Sequence, residues 1–169
     1  MLCETDSLIM RQMTDYMVPL LEEAIKIELR LSELYQLFAE KIPEDKDFWW
    51  QLVLEEKNHA ALLRSGKEFL KNDKFPSNFL PNSLEELKRS TQEILKARQK
   101  FNDTPARLSS FEIAYLLEHS AGEMHYQNYM SDEIDDDLRS IFKRLNRADI
   151  DHAKRIREYM SNIYPDAQD

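Results

Sequence analysis

The chain has 169 residues, 33% of them charged, with only 2 glycines, a single cysteine and a formal net charge of −9. That length suits one domain with a sizeable core, and scarce glycine with abundant charge suits helices rather than sheet. The acidic balance argues against nucleic acid or an anionic membrane as partner, and Cys3 alone excludes an intrachain disulfide or a four-cysteine metal site.

Residues 1–11 carry Glu4 and Asp6 and lack the apolar core of a signal peptide. No stretch approaches the roughly 18 apolar residues of a membrane-spanning helix, so a cytoplasmic location is expected. A long amphipathic helix is predicted over 15–42, with Pro19 in its first turn or at a kink in a longer helix. Its apolar stripe is Leu21, Ala24, Ile25, Glu28, Leu31, Ser32, Tyr35, Phe38, Ala39 and Ile42. Pro43, Glu44 and Asp45 break it, and so short a break returns the next helix, 46–72, antiparallel to the first. The second stripe is Trp49, Leu52, Val53, Glu56, His59, Ala60 and Leu63, with Trp49 or Trp50 expected inside the bundle end. Gly66 weakens the later half of this helix by roughly 1 kcal/mol relative to alanine.

Residues 72–82, with Pro76 and Pro81, form a predicted linker. Ser83 and Glu86 make a capping box that opens a polar helix over 83–99. Its apolar positions, Leu84, Leu87, Ile94 and Leu95, are sparse, which places it on the outside. Ser109 and Glu112 form a second capping box before a helix predicted over 110–130. The last helix is predicted over 132–162, and the acids Asp132, Glu133, Asp135, Asp136 and Asp137 suit the positive end of its dipole. Its stripe is Ile141, Phe142, Leu145, Ala148, Asp149, His152, Ala153, Ile156 and Met160. The expected architecture is one all-α domain over 1–169: a ferritin-like four-helix bundle of two antiparallel hairpins joined by a long crossover that contains an extra helix.

Polar residues on these stripes carry the functional signal. Glu56 and His59 lie three apart on one helix face, where only apolar side chains are expected. An unpaired buried charge costs several kcal/mol, so something must offset their burial. Each hairpin brings an acid against an acid-x-x-His pair: Glu28 with Glu56 and His59, then Glu123 with Asp149 and His152. The separations are similar, 56 − 28 = 28 and 149 − 123 = 26. Four carboxylates match the charge of two divalent ions, and a mixed carboxylate and imidazole shell suits iron or manganese more than zinc. The same recipe is the known plan of di-metal carboxylate bundles.

The chain resembles the rubrerythrin branch of the ferritin-like superfamily. Glu28 followed by Tyr35, Phe38 and Ala39 resembles the family's first-helix motif, and Glu56-x-x-His59 its second. Ala121-Gly122-Glu123 resembles the third, and Asp149-x-x-His152 takes the place of the fourth. The resemblance implies a non-haem di-iron oxidoreductase that reduces peroxide or dioxygen. It implies two iron ions, with manganese or a mixed pair as alternatives, held by Glu28, Glu56, His59, Glu123, Asp149 and His152. Three departures stand out. Asp149 replaces the usual glutamate, Tyr126 replaces a further third-helix glutamate, and the four cysteines of a rubredoxin domain are missing. Electrons therefore have to come from an external donor protein. A homodimer is expected, because such bundles often pair through their outer faces.

Tyr35 is a candidate for a hydrogen bond to a ligand carboxylate or for a radical relay, as against a core tyrosine whose hydroxyl takes any partner. His119 is expected as a partly exposed helix residue, with a place near the site as the alternative, His125 at the surface, and Met124 and Met130 as core filler. Three other functions share the same residues: ferroxidation and iron handling, hydroxylation of an organic substrate, and a metal-stabilised helical module without enzymatic activity.

Overall fold

The computed structural model of the protein describes residues 4–70, 83–124 and 136–165, with side chains described over 15–67, 83–120, 145, 147–148 and 150–165. Regular structure among these residues is wholly helical: α1 (Glu4–Lys41), a 3-10 turn (Pro43–Asp45), α2 (Lys46–Leu70), α3 (Leu84–Asp103), α4 (Arg107–Met124) and α5 (Asp136–Ile163). The linker predicted over 72–82 and the helix start predicted at 131–132 lie outside the described residues.

Helix α1 begins well before residue 15 and runs through Pro19. Proline removes one hydrogen bond, to the carbonyl four residues earlier. Here that carbonyl belongs to the exposed residue Asp15, which water can reach. The helix ends where Pro43 forces its predecessor out of the helical region, and Ile42 is extended at φ −125°, ψ 78°.

Contacts between α1 and α2 rise in number on one helix as they fall on the other. Glu22 pairs with Lys67 at 2.6 Å, Glu28 lies 3.6 Å from His59, and Ser32 Oγ donates to the Val53 carbonyl at 3.2 Å. Helix α4 packs against α5, and α5 against α2. Helix α3 lies on α1, burying Leu87, Ile94 and Phe101. Thr91 Oγ1 on α3 donates to the buried Glu23 carboxylate at 2.7 Å, and Phe101 packs edge-on against Phe38 at 4.5 Å.

The two capping boxes behave differently. Ser83 Oγ accepts from the Glu86 amide at 3.1 Å and caps α3. Ser109 does not start its helix: α4 begins at Arg107, and the Ser109 and Ser110 hydroxyls donate back to the carbonyls of Ala106 and Arg107. The anchor at this end is the Arg107 guanidinium, which grips the buried Asp45 carboxylate through two bonds of 2.6 and 2.7 Å. Tyr159 on α5 donates to the same carboxylate at 3.2 Å, so one buried acid ties the 3-10 turn to α4 and α5.

The largest buried side chains, Trp49, Tyr35, Phe38, Phe101 and Phe111, gather toward this end. Trp49 packs on Tyr35, Phe38 and Phe111 with ring centroids 4.7–5.7 Å apart, while Trp50 turns outward at 43% exposed. Fully burying an aromatic side chain of this kind contributes roughly 2–3 kcal/mol. The aromatic layer thus closes the bundle on one side of the polar cluster described next.

Candidate metal centre

Five ionisable side chains from four helices are buried together: Glu28 on α1, Glu56 and His59 on α2, Glu118 on α4 and His152 on α5. Each helix carries its polar residue on the face that otherwise supplies core. On α2, Leu52, Val53, Ala60 and Leu63 surround Glu56 and His59; on α4, Phe111 and Ala114 precede Glu118 at helical spacing.

Glu56 is the centre of this group at 1% exposed. Its Oε2 lies 3.1 Å from His59 Nδ1 and its Oε1 lies 2.8 Å from His152 Nδ1. His59 Nδ1 is also 3.6 Å from Glu28 Oε2, and His152 Nδ1 is 3.5 Å from Glu118 Oε1. The two imidazole rings stack with centroids 5.2 Å apart and planes 21° from parallel. On its other side, His152 Nε2 lies 3.0 Å from Glu55 Oε2, at the edge of the cluster. Tyr35 reaches across from α1, its hydroxyl donating to Glu118 Oε1 at 2.5 Å.

Burial alone would raise the Glu56 carboxyl and lower both imidazoles; their mutual pairing reverses this. His152 and His59 hold Glu56 well below the usual carboxylate range. The Glu28 and Glu56 carboxylates push His59 up to about 10, and His152 is raised further still by Glu118, Glu55 and Glu56. Glu118 moves the other way. Its burial, together with the neighbouring Glu56 charge, raises its carboxyl despite His152 and Tyr35. Burial also raises the Tyr35 phenol well above its ordinary value, reinforced by the charges of Glu118 and Glu56.

The cluster also fits a metal ion. Glu56 Oε1 and His152 Nδ1 are fully buried and 2.8 Å apart, yet neither has an aligned hydrogen bond. One ligand atom from each of Glu56, His59 and His152 lies within 4.8 Å of the others, a spacing at which one ion can meet all three. Carboxylate oxygens mixed with imidazole nitrogens are donors for iron, manganese or zinc.

Of the six ligands expected from sequence, Glu28, Glu56, His59 and His152 come together in this cluster. Glu123 falls within α4 and Asp149 within α5, but their side chains lie outside those described, as do His125, Tyr126, Met124, Met130 and the acids at 132–135. His119 is exposed and stacks on Tyr115 at 5.8 Å. Sequence reasoning missed two acids that the structure brings to His152, Glu118 and Glu55. The Phe111, Ala114, Glu118 spacing was the available signal for the first, and the Ala-Gly-Glu motif drew attention past it. Glu55, next to Glu56 but off the apolar stripe, gave none.

Fold and site together define an all-helical protein with a buried carboxylate and histidine cluster able to hold metal. The chain matches the rubrerythrin family over residues 19–160, and it belongs to that family. No curated protein and no solved structure matches the chain.

Proposed function

We propose that this protein is a non-haem di-iron oxidoreductase of rubrerythrin type, reducing peroxide or dioxygen with electrons from an external donor protein. The observation that carries this reading is Glu56 reaching both buried histidines, one through each carboxylate oxygen. We place the site in a ferritin-like bundle whose two antiparallel hairpins, α1–α2 and α4–α5, are joined by a crossover containing α3. The pairings of α1 with α2 and of α4 with α5 support that arrangement. A single domain over 1–169, a cytoplasmic location and a homodimer complete the proposal. Among the described residues no helix is long and apolar enough to cross a membrane.

When bound, a pair of ferrous ions supplies the two electrons that reduction of a peroxide bond requires. The residues of the chain do the rest. Glu56, with one oxygen toward each histidine, would help to hold the metal pair. Glu28 supports the His59 side and Glu118 the His152 side. Each imidazole has to give up a proton before its Nδ1 can bind metal. The Tyr35 hydroxyl orients Glu118 and keeps a phenol proton beside the cluster. Trp49, Phe38 and Phe111 exclude water on that side. Glu123 and Asp149 remain in the proposed ligand set, on the strength of the family motifs.

The test is anaerobic loading with ferrous iron followed by mixing with hydrogen peroxide in a stopped-flow spectrometer. Rapid ferrous oxidation by the native protein, abolished in the His59→Ala, His152→Ala double variant, is the expected result. Equal rates in the two proteins would refute the redox function. Faster reaction with dioxygen than with peroxide, accompanied by retained ferric iron, would move the assignment to ferroxidation.

A further inference from the structure

His152 is held from both sides. Its Nδ1 faces Glu56 and Glu118, while its Nε2 lies 3.0 Å from Glu55 Oε2. Glu55 is not a core residue; about a third of its side chain is exposed. It is nonetheless fixed, because the Arg155 guanidinium meets both its oxygens, NH1 donating to Oε1 at 3.3 Å and NH2 to Oε2 at shorter range. Asp151, one helical turn earlier on α5, lies 2.8 Å from Arg155 Nε as an ion pair without an aligned hydrogen bond. A chain of charges therefore runs from the surface, Asp151 to Arg155 to Glu55, and ends on one ring nitrogen of a buried histidine.

From this geometry we infer that Glu55, clamped by Arg155, is a positioning residue that commits His152 to bind metal through Nδ1. An imidazole with one bound metal retains a single N–H, and a carboxylate at the other nitrogen decides where that proton stays. Glu55 holds the proton on Nε2 and leaves the Nδ1 lone pair directed at the cluster. It also fixes the ring plane, since Arg155 and His152 approach the same carboxylate from α5 while Glu55 stands on α2. The pair thus registers α5 against α2 at the height of the site. This inference rests on the metal-centre reading; Glu55 itself touches no metal under it.

Cobalt(II) titration of the metal-free protein, followed by its visible d–d bands, separates the two claims. Two cobalt ions are expected in the native protein. Glu55→Ala should bind one of the two about ten- to hundredfold more weakly, the usual cost of losing such a partner, with altered bands for that ion only. Glu55→Gln keeps the shape but turns an amide NH2 toward Arg155 or Nε2, so it should fail to restore the affinity. Arg155→Met should shift it in the same direction by less. In zinc-loaded protein carrying 15N-labelled histidine, His152 should show a protonated Nε2 and a metal-shifted Nδ1. Native affinity and bands in Glu55→Ala, or a metal-shifted Nε2, would overturn the role of Glu55 alone. Failure of the native protein to bind cobalt would instead remove the metal centre, and this inference with it.

Discussion

The two histidines of the cluster are built into the protein in different ways. His59 has a partner on its own helix, Glu56, one turn earlier on α2 at 3.1 Å. His152 finds all its described partners on other helices: Glu55 and Glu56 on α2 and Glu118 on α4. The repeated acid-x-x-His spacing suggests two equal half-sites, and the described side chains form something less symmetric. Helix α2 serves both histidines, while α5 contributes an imidazole whose position depends on how α5 docks. A local pair forms whenever its helix forms; a cross-helix set forms only when the bundle has closed. Among the described side chains, the His152 contacts all cross between helices, while His59 has both a local partner and the cross-helix Glu28.

The strongest test of this asymmetry is Glu56→Ala, which removes the one residue common to both sides. In the metal-free protein it leaves two buried imidazoles short of a counter-charge. Breaking a buried pair in this way costs about 3–5 kcal/mol, so urea unfolding should show a loss of that size and metal binding should fail at both positions. Retention of one tightly bound ion would mean that the half-sites are independent after all.

The metal-free protein should next separate the two histidines by how far their pH dependence extends. His59 is raised from 6.5 to about 10 by Glu28 and Glu56. A raised folded value contributes stability that is complete below 6.5 and is lost as the pH climbs to about 10. His152 is raised further, so its folded form also keeps a proton that the unfolded chain loses above 6.5, and it adds to the same fall and continues it beyond 10. Unfolding free energy should therefore fall by an amount on the order of a few kcal/mol between those two pH values. His59→Gln and His152→Gln should each remove about half of that slope between 6.5 and 10, and only His152→Gln should abolish the part that continues above 10. For the same reason, metal uptake at neutral pH should release protons, measurable as buffer-dependent heat in calorimetry. A slope left at its full native size in His59→Gln would assign that part of the titration elsewhere.

Which acid α4 contributes is the third point at which the comparison can be sharpened. Family motifs single out Glu123, whereas the described cluster contains Glu118. Five residues on a helix are about 7.5 Å and about 140° of rotation apart, so one undistorted face cannot present both. Glu118→Gln is expected to weaken metal binding by tenfold or more and to act on the ion nearest His152. Glu123→Gln should have less effect. The reverse order would show that the metal-bound protein uses α4 in a different register from the one described.

Much of this site was legible in the sequence, for a physical reason. Glu28, Glu56, His59 and His152 each interrupt an apolar stripe, and an interruption inside a strong helical period is visible without any knowledge of partners. The same holds for the Ser83 cap, which needs only Glu86 three residues on. Features that depend on which helices meet were not legible. The Asp45 and Arg107 pair joins residues from two ends of the chain's middle, and nothing local to Asp45 marks it as buried. Ser109 has the same capping pattern as Ser83, but Arg107 is pulled toward Asp45 and the helix begins before the serine. Glu55 becomes relevant only once α5 lies against α2.

Tyr35 carries the mildest of the predicted effects, and it bears on the same asymmetry. Its hydroxyl runs from α1 to Glu118 on α4, a link between the helix that supports His59 and the one that supports His152. Tyr35→Phe keeps the ring, which stacks on Trp49 at 5.7 Å, and removes only that hydrogen bond. The expected loss of stability is roughly 1–2 kcal/mol, because Glu118 is left buried with one partner fewer. The more informative measurement is metal affinity at each position. If the hydroxyl acts by orienting Glu118, only the ion on the His152 side should loosen, and the phenylalanine variant should resemble a weak form of Glu118→Gln. Equal loosening of both ions would point instead to a general slackening of the aromatic layer.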